Sequence, residues 1–315
     1  MRTLRLVTRG SPLALWQAHA LKDALTGADP AMPEPEIVIV RTTGDKVRDR
    51  ALSEVGGKGV FTKELDEALY DGRIDIAAHS MKDVPTWLPD NIKLVCMFER
   101  EDVRDVLVSP KYKSFDEMPD GSVIGTTSLR RQSQILARHP KLKVTLFRGN
   151  VQTRLRKLNE GVADATLLAL AGLNRLERTE VIARILEPED LLPAVGQGAI
   201  GITCRAEDEH IIELLQTLDH APTSLCVGAE RAMLDVLDGS CRTPIAGLAQ
   251  LSEDGATISI KGMVAEADGS EIWTAERNGP SADAEILGRD VGAELRAAVG
   301  EAFFEALVCD NELRP

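Results

Sequence analysis

Short apolar runs alternate with helical patterns over the first 200 residues, and this pattern changes near residue 218. In the first part, the apolar runs predict strands over 4–8, 36–41, 74–78, 93–98, 106–108, 123–124, 143–147, 165–170 and 199–204. The helical patterns lie between these runs, over 12–25, 61–70, from 129 onwards and from 150 to 161. Strands that alternate with helices are typical of α/β layers with a largely parallel sheet. We therefore predict two α/β lobes of similar size.

Two segments cross between the predicted lobes, a charged one near 99–105 and a glycine-rich one at 193–198. They divide this part of the chain into a first lobe, 1–99 together with 200–217, and a second lobe, 100–199. Two crossings between two lobes imply a cleft with hinges.

The last part, 218–315, has a different pattern. A predicted helix over 224–237 precedes three apolar-alternating stretches, and a long helix follows over 282–308. The alternating stretches are 245–251, 257–264 and 271–276. Alternation of this kind is typical of an antiparallel sheet with one buried face. We therefore predict a small α+β domain here.

The charge distribution points to a local anion site. The chain is acidic, with a formal net charge of −13, but the 39 residues 121–159 contain no aspartate or glutamate. The window contains six arginines and three lysines, which are Arg130, Arg131, Arg138, Arg148, Arg154, Arg156, Lys141, Lys143 and Lys157. A stretch that excludes acidic side chains indicates a ligand with several carboxylates or phosphates.

Two strand-to-helix junctions lie in this window, at 125–131 and 148–154. The first N–H groups of a helix and its positive dipole end favour an anion, and ligands of open α/β sheets bind at the carboxyl ends of strands. We expect the anion at the junction arginines, which are Arg130, Arg131, Arg148 and Arg154. We expect a solvated face for four of the remaining five, which are Arg138, Lys141, Lys143 and Lys157.

Composition narrows the class of protein. Aromatic residues make up 3% of the chain, which disfavours a base-stacking nucleic-acid surface, and the acidic balance disfavours a general polyanion binder. No stretch approaches the roughly 18 apolar residues of a membrane span, and the first residues lack a signal-peptide pattern. The five cysteines form no CxxC pair and predict neither disulfides nor a metal site. We expect a cytoplasmic monomer without nucleic-acid or membrane partners.

Lys82 and Asp83 follow the predicted strand 74–78. A lysine and a carboxylate at a strand's carboxyl end could hold an anion and move a proton. A surface ion pair in a turn before Pro85 is the alternative. Arg9 and Ser11 place a basic residue and a hydroxyl at the first strand-to-helix junction.

Two further segments, a glycine-rich one and a polar turn with a cysteine, have features that bear on function. The segment 55–61 is glycine-rich but lacks phosphate-loop spacing, so we interpret it as a mobile loop that could cover a cleft. Cys241 lies in a polar turn beside Arg242, which would favour its thiolate. An incidental exposed cysteine is the alternative interpretation.

Seven of these segments, in this order, resemble the porphobilinogen deaminase (hydroxymethylbilane synthase) family. They are TRGSPLALWQA at 8–18, VGGKG at 55–59, HSMKDVP at 79–85, GTTSLRRQ at 125–132, RGNV at 148–151, LPAVGQG at 192–198 and GSC at 239–241. The resemblance covers the chain from residue 8 to about residue 247. It implies an α/β fold with two lobes like those of periplasmic binding proteins and a small α+β C-terminal domain.

The resemblance also implies a reaction. Four porphobilinogen units would be joined head to tail, with loss of ammonia, on a dipyrromethane cofactor attached through a thioether to Cys241. Asp83 would be the catalytic carboxylate, which stabilises positive charge and assists proton transfer. The cofactor-binding residues implied are Cys241, Lys82, Thr126, Ser128, Arg130 and Arg131. The substrate-binding residues implied are Arg9, Ser11, Arg148, Arg154, Arg175, Lys58 and Gln197.

Two other classes stay open on residues alone. A two-lobed anion-binding protein without chemistry would use the same basic junctions, although it gives no role to Cys241. A nucleic-acid binder would use the basic window, against the shortage of aromatic residues. A two-pyrrole adduct on the Cys241 peptide would distinguish the enzyme from both.

Overall fold

The computed structural model describes residues 2–40, 63–237 and 243–305. Its strands are β1 (Arg5–Arg9), β2 (Glu36–Val40), β3 (Ile76–Ser80), β4 (Ile92–Met97), β5 (Asp105–Val108), β6 (Val123–Gly125), β7 (Lys143–Thr145), β8 (Ala165–Ala169), β9 (Arg184–Leu186), β10 (Ile200–Arg205), β11 (Ile245–Leu251), β12 (Thr257–Ala265) and β13 (Ile272–Pro280). Its helices are α1 (Pro12–Ala28), α2 (Lys63–Tyr70), α3 (Leu129–Arg138), α4 (Val151–Asn159), α5 (Leu170–Arg175), α6 (Glu209–Gln216), α7 (Ala221–Val236) and α8 (Ala284–Val299). Within these described ranges, no helix is both long and apolar enough to cross a membrane.

Two five-stranded sheets share one design. Their orders are β2-β1-β3-β10-β4 and β7-β6-β8-β5-β9. In each sheet the first three strands are parallel, while β10 and β5 pair antiparallel with both of their neighbours. Two α/β lobes with largely parallel sheets are therefore confirmed, since four of the five strands in each sheet point in one direction and only β10 and β5 run against them. The reason is that β5 and β10 each enter directly from a crossover, at the edge where the parallel strands end.

The register of these strands locates the junction between the lobes. Ile200 pairs with Ser80, the last residue of β3, and Asp105 pairs with Ala169, the last residue of β8. Both crossovers thus run along the carboxyl ends of the parallel strands. This is the edge at which open α/β sheets bind ligands.

Helix α1 shows how the first lobe is built. Ser11 accepts a hydrogen bond from the Ala14 amide, and Pro12 occupies the first helical position. Leu21 and Leu25, four residues apart, are fully buried on one face. They belong to a core cluster that includes Leu6 of β1, so this apolar face fixes α1 against the sheet.

The third sheet is the antiparallel meander β11-β12-β13, as predicted. Helices α7 and α8 pack together and against this sheet, with Met233 and Val291 buried in the shared core. A Cβ at Gly288 would lie 2.1 Å from the Ala229 carbonyl oxygen, so the close approach of the two helices requires glycine there. This domain also contacts the second lobe, where Gln132 Nε2 donates to the Ala267 carbonyl at 3.0 Å.

Some elements differ from the predictions. The last long helix ends at Val299, because Gly300 has a φ of 87° and a separate helical turn follows at 301–305. Helix α5 was not predicted, since it continues the apolar run of β8 with no polar boundary. The short edge strand β9 and helix α6 were also missed. The domain boundaries 1–99 with 200–217, 100–199 and 218–315 remain a proposal.

Candidate active site where the two lobes meet

The turn that carries Asp83 follows the carboxyl end of β3. Residues Met81–Asp83 form a single 3-10 turn, in which Met81 is buried while Lys82 and Asp83 are half-buried. The Met81 amide donates to the Ala199 carbonyl at 3.1 Å, just before β10 begins. The turn is therefore anchored to the second crossover at the edge where the lobes meet.

Lys82 is supported by a glutamine of the second crossover. Lys82 Nζ donates to Gln197 Oε1 at 3.2 Å, and Gln197 Nε2 donates to the Val103 carbonyl at 2.7 Å and to Asp105 Oδ1 at 3.1 Å. The Gln197 side chain is fully buried. Both ends of its amide are used inside the protein, so its contacts favour a supporting role over direct contact with substrate.

Two arginines of the acid-free window share a carboxylate that lies outside it. Arg130 Nη2 and Arg131 Nη2 donate to the two oxygens of buried Asp105, at 2.8 and 2.6 Å. Their Nη1 groups donate to the carbonyls of Leu192 and Leu167. Burial alone would raise the pKa of Asp105, but the two guanidinium groups outweigh it and hold that pKa well below its usual range.

The two arginines differ at Nε rather than in these contacts. The contacts of Arg130, to Asp105 and to a main-chain carbonyl, are those of a structural residue, and it is 4% exposed. Arg131 keeps a buried Nε–H without a hydrogen-bond partner among the residues that the structure describes. An unpaired buried donor is costly, so this N–H marks a position where a ligand acceptor would fit.

Several cations lie near Asp83 or near one another. The pKa of Arg154 is lowered to about 10, first by burial and then by Arg131 and Arg148, while Asp83 opposes the shift. Burial likewise lowers the pKa of Lys82 to about 8, with Arg131 adding to the effect and Asp83 opposing it. Because such shifts need charges within reach of one another, Lys82 and Arg154 lie near Asp83, Arg131 lies near both of them, and Arg148 lies near Arg154. An excess of buried positive charge is typical of an anion site.

Hydroxyl and amide side chains cap the two junction helices. Thr126 Oγ1 accepts from the Ser128 amide at 3.1 Å, and Ser128 Oγ accepts from the Arg131 amide at 3.4 Å at the start of α3. Asn150 Oδ1 accepts from the Thr153 amide at 2.9 Å at the start of α4. Since a hydroxyl that accepts can still donate its hydrogen, Thr126 and Ser128 can also bind a carboxylate.

Helix α4 corrects one prediction about the basic window. Lys157 is half-buried; its Nζ donates to the Arg148 carbonyl at 3.0 Å and lies 5.8 Å from the centre of the Phe147 ring. The prediction of a solvated Lys157 is wrong because its side chain folds back over the junction. The other three residues predicted at the solvated face are exposed, namely Arg138, Lys141 and Lys143.

The remaining predicted residues lie on α5 and at the first junction. Arg175 Nη2 donates to the Gly198 carbonyl at 2.7 Å, and its guanidinium carbon lies 5.3 Å from the centre of the Trp16 ring. These contacts join α5 of the second lobe to α1 of the first and to the second crossover. Arg9 ends β1 and is half-buried, and Ser11 caps α1.

Lys58 and Cys241 lie outside the described residues. The structure also adds a residue that the sequence reasoning missed, Asp105, which connects Arg130 and Arg131 to Gln197. The sequence feature that could have revealed Asp105 was its position as the single carboxylate at the start of the apolar run 105–108. A charged residue that opens a buried strand needs a partner, and the excess arginines of the window supply two.

These features define a two-lobed α/β protein that gathers cations near the carboxylates Asp83 and Asp105, with a third α+β domain packed against it. The family model "Porphobilinogen deaminase, dipyromethane cofactor binding domain" matches residues 4–213, and "Porphobilinogen deaminase, C-terminal domain" matches residues 224–297. The chain belongs to the porphobilinogen deaminase family, and it is an enzyme. The family resemblance and the dipyrromethane cofactor expected from the sequence are thereby confirmed.

Relatives at high identity carry the same family name. The chain is 53% identical over 310 residues to the chloroplastic porphobilinogen deaminase of Oryza sativa subsp. japonica, covering 96% of this chain and 86% of that one. It is 49% identical over 303 residues to the porphobilinogen deaminase of Paracoccus denitrificans, covering 96% of each. Among solved structures, the VFT2 domain of periplasmic BvgS from Bordetella pertussis aligns at 17% identity and a TM-score of 0.43, over 69% of this chain and 86% of that one.

Proposed function

We propose that this chain joins four porphobilinogen units head to tail, with loss of ammonia, into the linear tetrapyrrole hydroxymethylbilane. The observation that carries the proposal is the group of neighbouring cations Lys82, Arg131, Arg148 and Arg154, of which Lys82 and Arg154 lie near Asp83. Each porphobilinogen ring has an acetate and a propionate, so each added unit brings two negative charges. A growing product therefore needs several cationic side chains rather than one, and arginine forks match carboxylates best.

The residues suit a dipyrromethane that carries the same carboxylates. Lys82 and Arg131 supply cationic donors, including the unpaired Nε–H of Arg131, and Thr126 and Ser128 supply hydroxyl donors. We propose a thioether from Cys241 as the attachment. When bound, this cofactor supplies the terminal pyrrole carbon to which the first unit is joined.

Asp83 is the proposed catalytic residue. Loss of ammonia leaves positive charge on the substrate ring, and a carboxylate facing that ring stabilises the charge and accepts hydrogen bonds from pyrrole N–H groups. The half-buried position of Asp83 strengthens this effect, because charges interact more strongly away from bulk water.

The proposed substrate-binding residues divide into two groups. One group, we propose, contacts the carboxylates of the incoming unit and of the growing product; it contains Arg9, Ser11, Arg148, Arg154, Arg175 and Lys58. The other contains Gln197, which acts indirectly because its side chain accepts a hydrogen bond from Lys82. Arg130, expected to bind the cofactor, likewise acts indirectly because it pairs with Asp105. With a pKa of about 8, Lys82 is mainly protonated at neutral pH and can bind a carboxylate.

Intact mass and peptide mapping of the denatured protein test the proposal. We expect a two-pyrrole adduct on the Cys241 peptide, absent in Cys241→Ser and retained in the buried-cysteine control Cys226→Ala. Active protein with an unmodified Cys241 would contradict the attachment. A chain that binds porphobilinogen but releases no tetrapyrrole would instead support a binding protein without chemistry.

Asp83→Asn tests the catalytic assignment. The variant keeps the shape of the side chain and loses its charge, so it should fold normally, keep a cationic site and turn over at least about 100-fold more slowly. Near-normal turnover in quenched-flow assays would remove Asp83 from the mechanism.

We further propose that the protein acts as a monomer in the cytoplasm, without nucleic-acid or membrane partners. Two plant relatives are named chloroplastic, and bacterial relatives carry no compartment in their names. Light scattering coupled to gel filtration should give a mass near 34.2 kDa. A dimer mass would overturn the monomer proposal.

A further inference from the structure

Arg231 of α7 holds the segment that directly follows Asp83. Its Nη1 donates to the Val84 carbonyl at 3.2 Å, and its Nη2 donates to the carbonyls of Pro85 and Thr86 at 2.8 and 3.0 Å. One guanidinium from the third domain therefore bonds three consecutive carbonyls of the first lobe. A rigid, planar fork suits this task better than a flexible ammonium.

The preceding residue fixes α7 to both crossovers. Buried Glu230 accepts from Arg100 Nη1 and Nη2 at 2.6 and 3.1 Å in the first crossover, and from the Gly196 amide at 2.7 Å in the second. It also accepts from the Ala249 amide of β11 at 2.9 Å. The backbone of α7 at Glu230 and Arg231 is thus set relative to the hinge and to the third sheet.

The Asp83 turn is consequently held from two sides. On its amino side, the Met81 amide donates to the Ala199 carbonyl of the second crossover. On its carboxyl side, Arg231 binds the chain from Val84 onwards. The position of the carboxylate depends on both supports, and one of them belongs to the helix that precedes Cys241 in the sequence.

We propose that Arg231 is a positioning residue for the reaction, which sets the Asp83 carboxylate relative to the third domain. This inference rests on the proposed function, in which Asp83 is the catalytic carboxylate. Displacement of a catalytic group by about 1 Å can cost on the order of 100-fold in rate. Removing the guanidinium should therefore lower kcat while leaving the carboxylate-binding cations, and so KM, almost unchanged.

Arg231→Met in the holoenzyme is the test, because methionine keeps the apolar stem and removes the donors. We expect kcat to fall by about 10- to 100-fold, with KM within about 3-fold and the Cys241 adduct retained. Arg231→Lys, which keeps one cationic donor, should recover part of the loss. The matched control is Arg289→Met, which removes an exposed arginine of α8 and should leave kcat unchanged.

A double-variant cycle with Asp83→Asn separates positioning from general loosening of the fold. If Arg231 acts through Asp83, Arg231→Met should slow single turnover in the Asp83→Asn background by much less than in the parent. An equal loss in both backgrounds, or normal kcat in Arg231→Met, would overturn the inference. If Arg231→Met fails to fold, the same cycle with Arg231→Lys decides. Normal turnover in Asp83→Asn alone would refute the proposed function instead.

Discussion

Asp105 Oδ1 accepts a hydrogen bond from Arg131 Nη2 at 2.6 Å, between two side chains that are both buried. The pair joins β5, the first strand after the first crossover, to α3 at the junction that we propose binds anions. Arg131 Nη2 donates to Asp105 and Arg131 Nη1 donates to the Leu167 carbonyl, so the plane of the Arg131 guanidinium is fixed and its Nε–H remains available to a ligand. A carboxylate of the protein itself therefore orients a residue that we propose binds the carboxylates of the cofactor.

Replacing Asp105 with asparagine should destabilise the fold strongly. The change leaves the buried cations Arg130 and Arg131 without their counter-charge, and breaking a buried pair from one side costs about 3–5 kcal/mol. Urea denaturation measures the free energy of unfolding. The control is Asp190→Asn, which removes an exposed partner of Arg138 and should cost less than about 1 kcal/mol. Equal effects at both sites would contradict the buried-pair interpretation.

A methyl group at Gly198 should disturb the contact between the crossovers. Gly198 has a φ of 89°, and a Cβ there would lie 2.3 Å from the Glu101 carbonyl oxygen. Gly255 also has positive φ, at 70°, but nothing lies within 4 Å of its Cβ position. Gly255→Ala should thus cost only the backbone term of about 1–2 kcal/mol, and Gly198→Ala distinctly more. Thermal unfolding of both variants provides the comparison, and similar shifts in Tm would refute the steric argument.

His79 should make the protein sensitive to mild acid. Burial, with a contribution from Arg9, lowers its pKa from 6.5 to about 4, and its Nε2 lies 2.9 Å from Thr203 Oγ1. Between about pH 6.5 and 4 the unfolded chain binds a proton there that the folded chain does not, so this part of the stability is lost as pH falls through that window. His79→Gln cannot titrate and should flatten the pH dependence of unfolding. Exposed His19→Gln is the control, and an unchanged slope in His79→Gln would contradict the assignment.

Two arginines of α4 should differ sharply in their effect on catalysis. Arg154 Nε donates to the Gly149 carbonyl at 3.0 Å beside the other junction cations, whereas Arg156 pairs with Glu160 on the surface. Arg154→Ala should lower kcat/KM by about 10- to 100-fold, as expected for a lost charge-assisted hydrogen bond. Arg156→Ala should leave kcat/KM unchanged. A comparable loss in both variants would indicate that α4 itself, rather than Arg154, is needed.

The sequence predicted most of the elements, because their apolar periodicity and caps are local features. Ser11-Pro12 marked the start of α1, and the strands of the third sheet alternated clearly. It did not show that β5 and β10 run against the other four strands of their sheets, since nothing local to either strand shows that it returns from a crossover. Helix α5 was hidden because its apolar run continues that of β8.

The candidate site could be predicted where its residues lie in sequence motifs at strand-to-helix junctions. Lys82, Asp83, Arg131 and Arg154 were expected together, and the pKa values of Lys82 and Arg154 both respond to Arg131 and Asp83, which places these side chains within reach of one another. The sequence did not show which basic residues support the fold and which keep a donor for a ligand. Arg130 and Arg131 are adjacent and chemically identical in the sequence, and both donate to Asp105. The difference between them is the buried Nε–H of Arg131, which has no hydrogen-bond partner among the described residues.

The two crossovers lie side by side, with the Glu101 amide donating to the Gly198 carbonyl and Arg100 Nε donating to the Gln197 carbonyl. Two adjacent crossovers permit one lobe to rotate relative to the other about an axis that runs along the crossovers, and they resist sliding of one lobe past the other. Points near a rotation axis move least. Lys82 and Gln197 lie beside that axis. In the proposed reaction, the geometry around the cofactor end of the growing pyrrole product would therefore stay constant, while the outer parts of the lobes separate to admit each new ring.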